Sequence, residues 1–311
     1  MTLPWLQAVE SEFAERLRGG RLAHALMLSG PAHCGKVDLA RQFLAAALCL
    51  ENRYPACGQC RSCQLLSTGA HPDGHVVTFE ERDRKPGVLR TELVVGQMRR
   101  LIGALCLTNT ISRRKAALIY PVEESNSSAI NALLKTLEEP PSDTVMILVA
   151  HDTGRVPATV RSRCQNLTVR LPGHAEARAW VMENAGVTEA DADAALEAAA
   201  GSPLRALQIA GSGELAQFQG LRRALDGVRE GGLEIMQALP ELDAIDPMML
   251  WSWISLHVAA LSRSLAVQGG ASRSLLEAQR LADVNRRFAR SAVRNDLLLQ
   301  DWLIQWARLR V

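Results

Sequence analysis

A chain of 311 residues is too long for one average domain, so two or three are expected. Hydrophobic residues make up 48% of it with no biased tract, which excludes a disordered, low-complexity protein and allows packed cores. Its 35 Lys+Arg against 33 Asp+Glu leave a net charge of +2, which excludes strong attraction of the whole chain to DNA or to a membrane surface, although a local basic patch remains open.

No apolar run approaches the ~20 residues of a membrane span. The start, Met1-Thr2-Leu3-Pro4-Trp5, has neither the basic region nor the apolar core of a secretory signal. Cytoplasmic location and no membrane partner are expected.

In chain order, the first apolar run is Leu26-Met27-Leu28, a predicted strand. It leads into Gly30-Pro31-Ala32-His33-Cys34-Gly35-Lys36-Val37 and then a predicted helix over about 36–49. Four of the seven cysteines follow within fifteen residues: Cys49, Cys57, Cys60 and Cys63. Further strands are predicted at 76–79, 116–120, 145–149 and 166–171, each nearly continuous in apolar character, as strands covered on both faces are. Between them, a helix starting near Thr91 carries Val94, Val95, Met98, Leu101, Ile102 and Leu105 on one stripe. Another, from near Ser127, carries Ile130, Leu133, Leu134 and Leu137 until Pro140-Pro141 stops it. Alternating strands and helices predict a parallel α/β domain.

After Leu171-Pro172-Gly173 the strands cease. An alanine-rich helical unit covers 174–209, and helices broken at Gly231-Gly232, Asp246-Pro247 and Gly269-Gly270 fill the rest. Trp251, Ile254, Val258, Leu261 and Leu265 share one helix face; Leu298, Trp302 and Trp306 share another. Such faces suit either an oligomer interface or an ordinary helical core.

Gly30 to Lys36 has the form of a Walker A loop: it follows a strand and opens a helix, where backbone N–H groups cradle phosphates and Lys36 would reach them. The next position should carry the hydroxyl that holds Mg²⁺, yet it is Val37. A working site also needs acids at the end of a neighbouring strand. That strand ends Leu118-Ile119-Tyr120-Pro121-Val122, with Glu123 and Glu124 only beyond it. Two independent losses predict that this chain does not hydrolyse ATP or bind it productively.

Asn131-Ala132-Leu133-Leu134-Lys135-Thr136-Leu137-Glu138-Glu139-Pro140-Pro141, then Ser162-Arg163-Cys164, then Gly201-Ser202-Pro203-Leu204-Arg205-Ala206-Leu207 resemble, in order and spacing, three motifs of the bacterial clamp-loader AAA+ subunits. The likeness covers roughly the first two-thirds of the chain; the last third matches only in helical character. Aligned on Asn131, the family's Walker B acids fall at Tyr120 and Pro121. Motor subunits (gamma/tau) keep those acids and the Walker A threonine, so the delta-prime branch is the better match.

The resemblance implies an AAA+ α/β domain over 1–170 with a zinc module at about 49–63, a small helical lid over 171–210 and a helical collar over 211–311. It also implies a place in a hetero-oligomeric DNA polymerase III clamp loader, beside gamma/tau and delta subunits, with the sliding clamp and primed DNA as partners of the assembled complex. In that family the Ser-Arg-Cys arginine, here Arg163, reaches ATP on a neighbouring subunit; Arg161 lies close enough to be mistaken for it. Arg205 corresponds to the sensor 2 arginine, although with its own loop degenerate a helix-start role fits equally. Glu138 and Glu139 stand at a helix C-terminus, where the macrodipole disfavours negative charge, and such rule-breaking marks either a site or a solvated end.

Cys49-x7-Cys57-x2-Cys60-x2-Cys63 supplies four thiolates, the complement of a structural zinc with no open position. An iron–sulfur cluster is the chemical rival, but the fourth cysteine lies upstream and no Cys-Pro follows. His71 and His75 nearby read as ordinary loop or strand-edge residues, because the cysteines complete the shell. Arg82, Arg84, Lys85 and Arg90, followed by Arg99-Arg100 and Arg113-Arg114-Lys115, form basic clusters with little aromatic interleaving, which suits solvation better than direct DNA contact. Two rivals remain: a true ATPase motor that tolerates Val37, and a zinc-dependent nucleic-acid-binding protein outside any clamp loader.

Overall fold

The computed structural model describes residues 3–82, 85–267, 273–289, 291 and 293–309; Arg84 and the expected break at Gly269-Gly270 lie outside them. The chain divides into two compact units, 1–172 and 173–311.

The first unit begins with α1 (Gln7–Arg18), which the sequence pattern did not reveal. Next come β1 (Ala25–Ser29), α2 (Lys36–Leu48), α3 (Arg61–Ser67), β2 (Gly74–Val77), and a small hairpin of β3 (Glu81–Arg82) and β4 (Lys85–Leu89). They are followed by α4 (Val95–Leu105), β5 (Lys115–Ile119), α5 (Ser127–Glu138), β6 (Thr144–Ala150), α6 (Ala158–Arg161) and β7 (Gln165–Thr168). The five expected strands form one parallel sheet in the order β2-β5-β6-β1-β7. Every residue of β1, β5 and β6 is buried, as their unbroken apolar runs require.

Three boundaries shift, one of them at the last strand, expected over 166–171 and paired only over Gln165–Thr168. The strand expected at 76–79 is paired only over 74–77, alongside Ala116–Ile119. The helix expected from Thr91 starts at Val95, because Leu93 is held extended, accepting from Asn126 N–H and donating to the Glu124 carbonyl. The apolar stripe itself is as expected, with Met98, Leu101 and Leu105 buried against Ile130, Leu133 and Leu137 of α5. Asn126 caps α5 by accepting from the Ala129 N–H at 2.9 Å.

The second unit is helical: α7 (His174–Ala185), α8 (Glu189–Ala198), α9 (Pro203–Ala210), α10 (Glu214–Glu230), α11 (Ile235–Asp243), α12 (Pro247–Val267), α13 (Arg273–Phe288) and α14 (Asn295–Ala307). Its core is built on tryptophan. Trp251, Trp302 and Trp306 are fully buried, Trp302 and Trp306 stack at 5.1 Å, and each indole N–H finds an oxygen: Asn295 Oδ1, the Ala278 carbonyl and the Leu225 carbonyl. Trp253 likewise donates to the Ala198 carbonyl, tying α12 to α8. The two predicted apolar faces are therefore core at Trp251, Ile254, Val258, Trp302 and Trp306, and only half-buried at Leu261, Leu265 and Leu298.

Candidate functional site: a closed phosphate loop, a held arginine and a thiol cluster

The loop after β1 has the backbone of a phosphate cradle. Gly30 takes φ +149°, and a Cβ there would sit 2.2 Å from the Val169 carbonyl oxygen, so only glycine fits beside the end of the sheet. Gly35 turns into α2 in the left-handed region at φ +88°. Lys36 points into this loop: it is 1% exposed, and its ammonium donates to the Pro31 carbonyl at 2.6 Å. Burial lowers the Lys36 pKa, opposed by the Cys34 and Glu123 charges, and burial raises that of the Cys34 thiol.

The positions expected to hold Mg²⁺ carry other side chains. Val37 offers no oxygen. Tyr120, where an acid would stand, accepts a hydrogen bond from Arg41 Nη2 at 2.6 Å and lies under the same guanidinium, 5.7 Å from its ring centre. Glu123 is buried, but it faces the end of β6, accepting from the His151 and Asp152 N–H groups at 2.7 and 3.3 Å. Glu124 forms a two-pronged pair with Arg155 at 2.6 and 2.9 Å. Burial, with the Lys36 and His33 charges, pushes the His151 imidazole down to about 4, which keeps it neutral at physiological pH. A cavity of about 700 Å³ at the C-terminal ends of β1, β6 and β7 is lined by Ser29, Gly30, His151, Arg161 and Thr168.

Arg161 and Arg163 are separated by their surroundings. Arg161 lines that cavity. Arg163 lies beyond α6, with Nη1 donating to the Thr159 carbonyl at 2.8 Å and to Ser162 Oγ at 3.2 Å, while Nη2 pairs with Glu138 Oε1 at 2.5 Å. Each residue of the Ser-Arg-Cys triplet has its own task. Ser162 Oγ bonds back to the Thr159 carbonyl, and Cys164 packs against the core, where burial pushes its thiol up to about 11. Arg163 is half-buried, its side chain one-third exposed. In the second unit, Arg205 of α9 is engaged by Glu214 of α10 at 2.6 Å.

The four clustered cysteines converge. The sulfurs of Cys49, Cys57, Cys60 and Cys63 all lie within 4.8 Å of one another, with Cys57 and Cys63 at 3.9 Å. A tetrahedron of sulfurs at ~2.3 Å from one ion has edges of about 3.8 Å, so this cluster has the dimensions of a closed metal site. Helix ends place it: Cys49 caps the C-terminus of α2, Cys60 is the N-cap of α3 and Cys63 lies in its first turn. Gly58 turns at φ +73°, and the Cys60 N–H reaches Cys57 Sγ at 3.3 Å. Without a cation the sulfurs titrate apart. Burial raises Cys60, but N–H groups of Cys63 and Leu50 with neighbouring thiols outweigh it and hold Cys60 at about 6, whereas burial and its sulfur neighbours push Cys63 up to about 12.

The sequence did not reveal what fixes this cluster. Asp73, fully buried, accepts from the N–H groups of Thr110, Ile111 and Ser112 at 2.7–2.9 Å and pairs with buried Lys115 at 3.3 Å. His71, expected to be an ordinary loop residue, is buried beside it. His71 Nδ1 accepts the Asp73 N–H, and Nε2 meets Ser62 Oγ at 2.8 Å and Ser112 Oγ at 3.2 Å. Both hydroxyls also donate to the Leu48 carbonyl. Leu48 precedes Cys49 and Ser62 precedes Cys63, so two metal-ligand positions hang on one network. The only signal was a charged residue at the start of each of two apolar strands.

A five-stranded parallel sheet with a glycine-rich loop and lysine between β1 and α2, followed by a helical unit, defines a P-loop α/β protein. Residues 5–172 match the family model described as DNA polymerase III, delta subunit. The chain is 33% identical over 307 residues to the DNA polymerase III subunit delta' of Pseudomonas aeruginosa, an alignment covering 97% of this chain and 89% of that one. A DNA polymerase III gamma subunit of Buchnera aphidicola is 36% identical over 147 residues, 47% of this chain and 38% of that protein. Among solved structures, a DNA polymerase III gamma subunit-related protein of Thermotoga maritima aligns over 99% of this chain and 100% of its own, at TM-score 0.48 and 16% identity. The chain belongs to the family of DNA polymerase III delta-prime clamp-loader subunits. Among the described residues, no helix is long and apolar enough to cross a membrane.

Proposed function

We propose that this chain is a non-hydrolysing member of a hetero-oligomeric clamp loader, which supports ATP cleavage on a neighbouring motor subunit rather than its own. One observation carries this reading: the two positions that must hold Mg²⁺ are Val37 and Tyr120, and the tyrosine is already committed to Arg41. Phosphates could still meet the backbone N–H groups of the loop and Lys36, but neither Val37 nor Tyr120 supplies a ligand for the metal.

Arg163 is the group offered outward. A guanidinium is always charged and presents a fork of donors matched to phosphate oxygens, and such a finger is worth roughly 10³–10⁵ in turnover. Its partly exposed position at the turn before β7 supports this role. The engagement of Arg205 by Glu214 favours a structural part for that residue. The helical unit would divide into a lid over 171–210 and a collar over 211–311 that joins gamma/tau-type and delta-type subunits, in a cytoplasmic complex loading a sliding clamp onto primed DNA. Cys49, Cys57, Cys60 and Cys63 would hold one zinc ion, whose role is to cross-link the chain; with four thiolates bound it has no open coordination position.

The test is reconstitution. The purified chain alone should show no ATPase above the background of a Lys36→Ala variant. In the complex with motor and delta partners, Arg163→Ala should leave assembly intact and lower DNA- and clamp-stimulated ATPase by about tenfold or more. Turnover by the lone chain, abolished by Lys36→Ala, would restore the motor reading that the match to a gamma subunit leaves as the rival.

A further inference from the structure

Glu138 breaks a local rule. It ends α5, where the exposed carbonyl dipoles disfavour a carboxylate, and Glu139 beside it doubles the negative charge. The structure supplies the compensating partner. Glu138 Oε1 stands 2.5 Å from Arg163 Nη2, across from the Ser-Arg-Cys turn.

Both ends of this contact adjoin the core. On the glutamate side, Leu137 is 1% exposed in the core, its carbonyl meets His24 Nε2 at 3.1 Å, and the Glu139 N–H closes onto the Lys135 carbonyl at 2.9 Å. On the arginine side, Val160 is fully buried in the same cluster as Leu133 and Leu137, and Cys164 packs against that cluster. Two anchored backbones thus bring one carboxylate to one guanidinium, while the Thr159 carbonyl and Ser162 hydroxyl hold its other terminal nitrogen.

We infer that Glu138 is the positioning residue for Arg163, fixing the rotamer of the guanidinium in the free subunit so that it meets a neighbour's phosphates without a search. This rests on the reading of Arg163 as a finger. A guanidinium has five N–H donors, and the contacts to Thr159, Ser162 and Glu138 engage three, so donors remain for phosphate oxygens. A long, rotamer-rich side chain loses its freedom on docking; paying that cost in advance raises the rate of the chemical step and leaves ATP affinity alone. The helix-end carboxylate that local propensity disfavours is thereby explained.

The experiment is a double-mutant cycle in the reconstituted complex with motor and delta partners, reading kcat and KM for ATP under clamp and primed-DNA stimulation. Glu138→Ala should lower kcat roughly threefold to tenfold with KM changed less than about twofold, and Glu138→Gln, which keeps the size and one acceptor, should fall between it and the parent. Arg163→Ala/Glu138→Ala should be no slower than Arg163→Ala. If Arg163→Ala does not slow the complex, the finger reading itself fails. If it does, while both Glu138 variants run at the parental rate or the double variant is slower by the product of the singles, the finger stands and this inference is overturned. Glu138→Gln run in parallel keeps the outcome independent of any assembly defect in Glu138→Ala.

Discussion

At the scale of single residues, the buried charges are the most demanding. Asp73 and Lys115 are both buried, and three backbone N–H groups plus the ammonium satisfy the carboxylate. Burial raises the Asp73 pKa, but those donors outweigh it and leave it at about 2 against an ordinary 3.8. Because the folded value lies below the unfolded one, its stabilising share is present above about pH 4 and is lost as pH falls toward 2, an effect of about 2 kcal/mol. Asp73→Asn strands a buried ammonium and should cost about 3 kcal/mol at neutral pH. Urea melts of parent and variant at pH 7 and pH 3 check both: the gap should narrow in acid. That Val37 has no hydroxyl and Tyr120 no carboxylate is readable without coordinates, because each is a fact of residue type. It could not assign His71, since a histidine between a glycine-rich turn and a strand looks the same whether solvated or bonded to two serines.

At the scale of elements, the thiol module joins the C-terminus of α2 to the N-terminus of α3, and the His71–Ser62–Ser112 network fastens it to the sheet. Metal analysis should find one zinc and no iron per chain. Chelation at neutral pH should release that ion together with four titratable thiols and lower the melting temperature, because binding to the folded state alone stabilises it by mass action. His71→Ala should leave the stoichiometry at one but speed metal transfer to a chelator by about tenfold, because Ser62 and the Leu48 carbonyl, each next to a cysteine, lose a shared support. An unchanged transfer rate would show that the cysteines need no such support. Most elements were visible in the pattern of apolar residues, because α4 and α5 each bury one face and the central strands are covered on both. The start of α4 was not, since Leu93 is apolar enough to continue the helical stripe and only its pairing with the segment after β5 holds it extended. The β3–β4 hairpin escaped for the opposite reason: Glu81, Arg82, Val88 and Leu89 are exposed, so no burial imprints a period on them.

At the scale of the molecule, the two units have separate cores, one built on a parallel sheet and the other on stacked tryptophans. Trp306 is fully buried and its N–H meets the Leu225 carbonyl at 2.7 Å, so Trp306→Ala should cost the helical unit about 3–5 kcal/mol. Limited proteolysis of that variant should cut first within 211–311, while its zinc content stays at that of the parent. Equal loss of metal would mean that the two cores unfold as one. The proposed work of the assembled loader has the same division: an α/β unit that presents a charge and a helical unit that holds the assembly.

The sequence by itself determined which groups are available for chemistry. A missing hydroxyl, a missing acid, four spaced thiols and an arginine between serine and cysteine are facts of residue type, independent of folding. Only the tertiary structure decided partners. That Arg163 meets Glu138, that Tyr120 meets Arg41, and that Asp73 gathers a loop and a lysine around the thiol module are encounters between residues 25 to 79 positions apart. Local propensity and spacing act over a few residues, whereas burial of one shared core is what brings such distant side chains together.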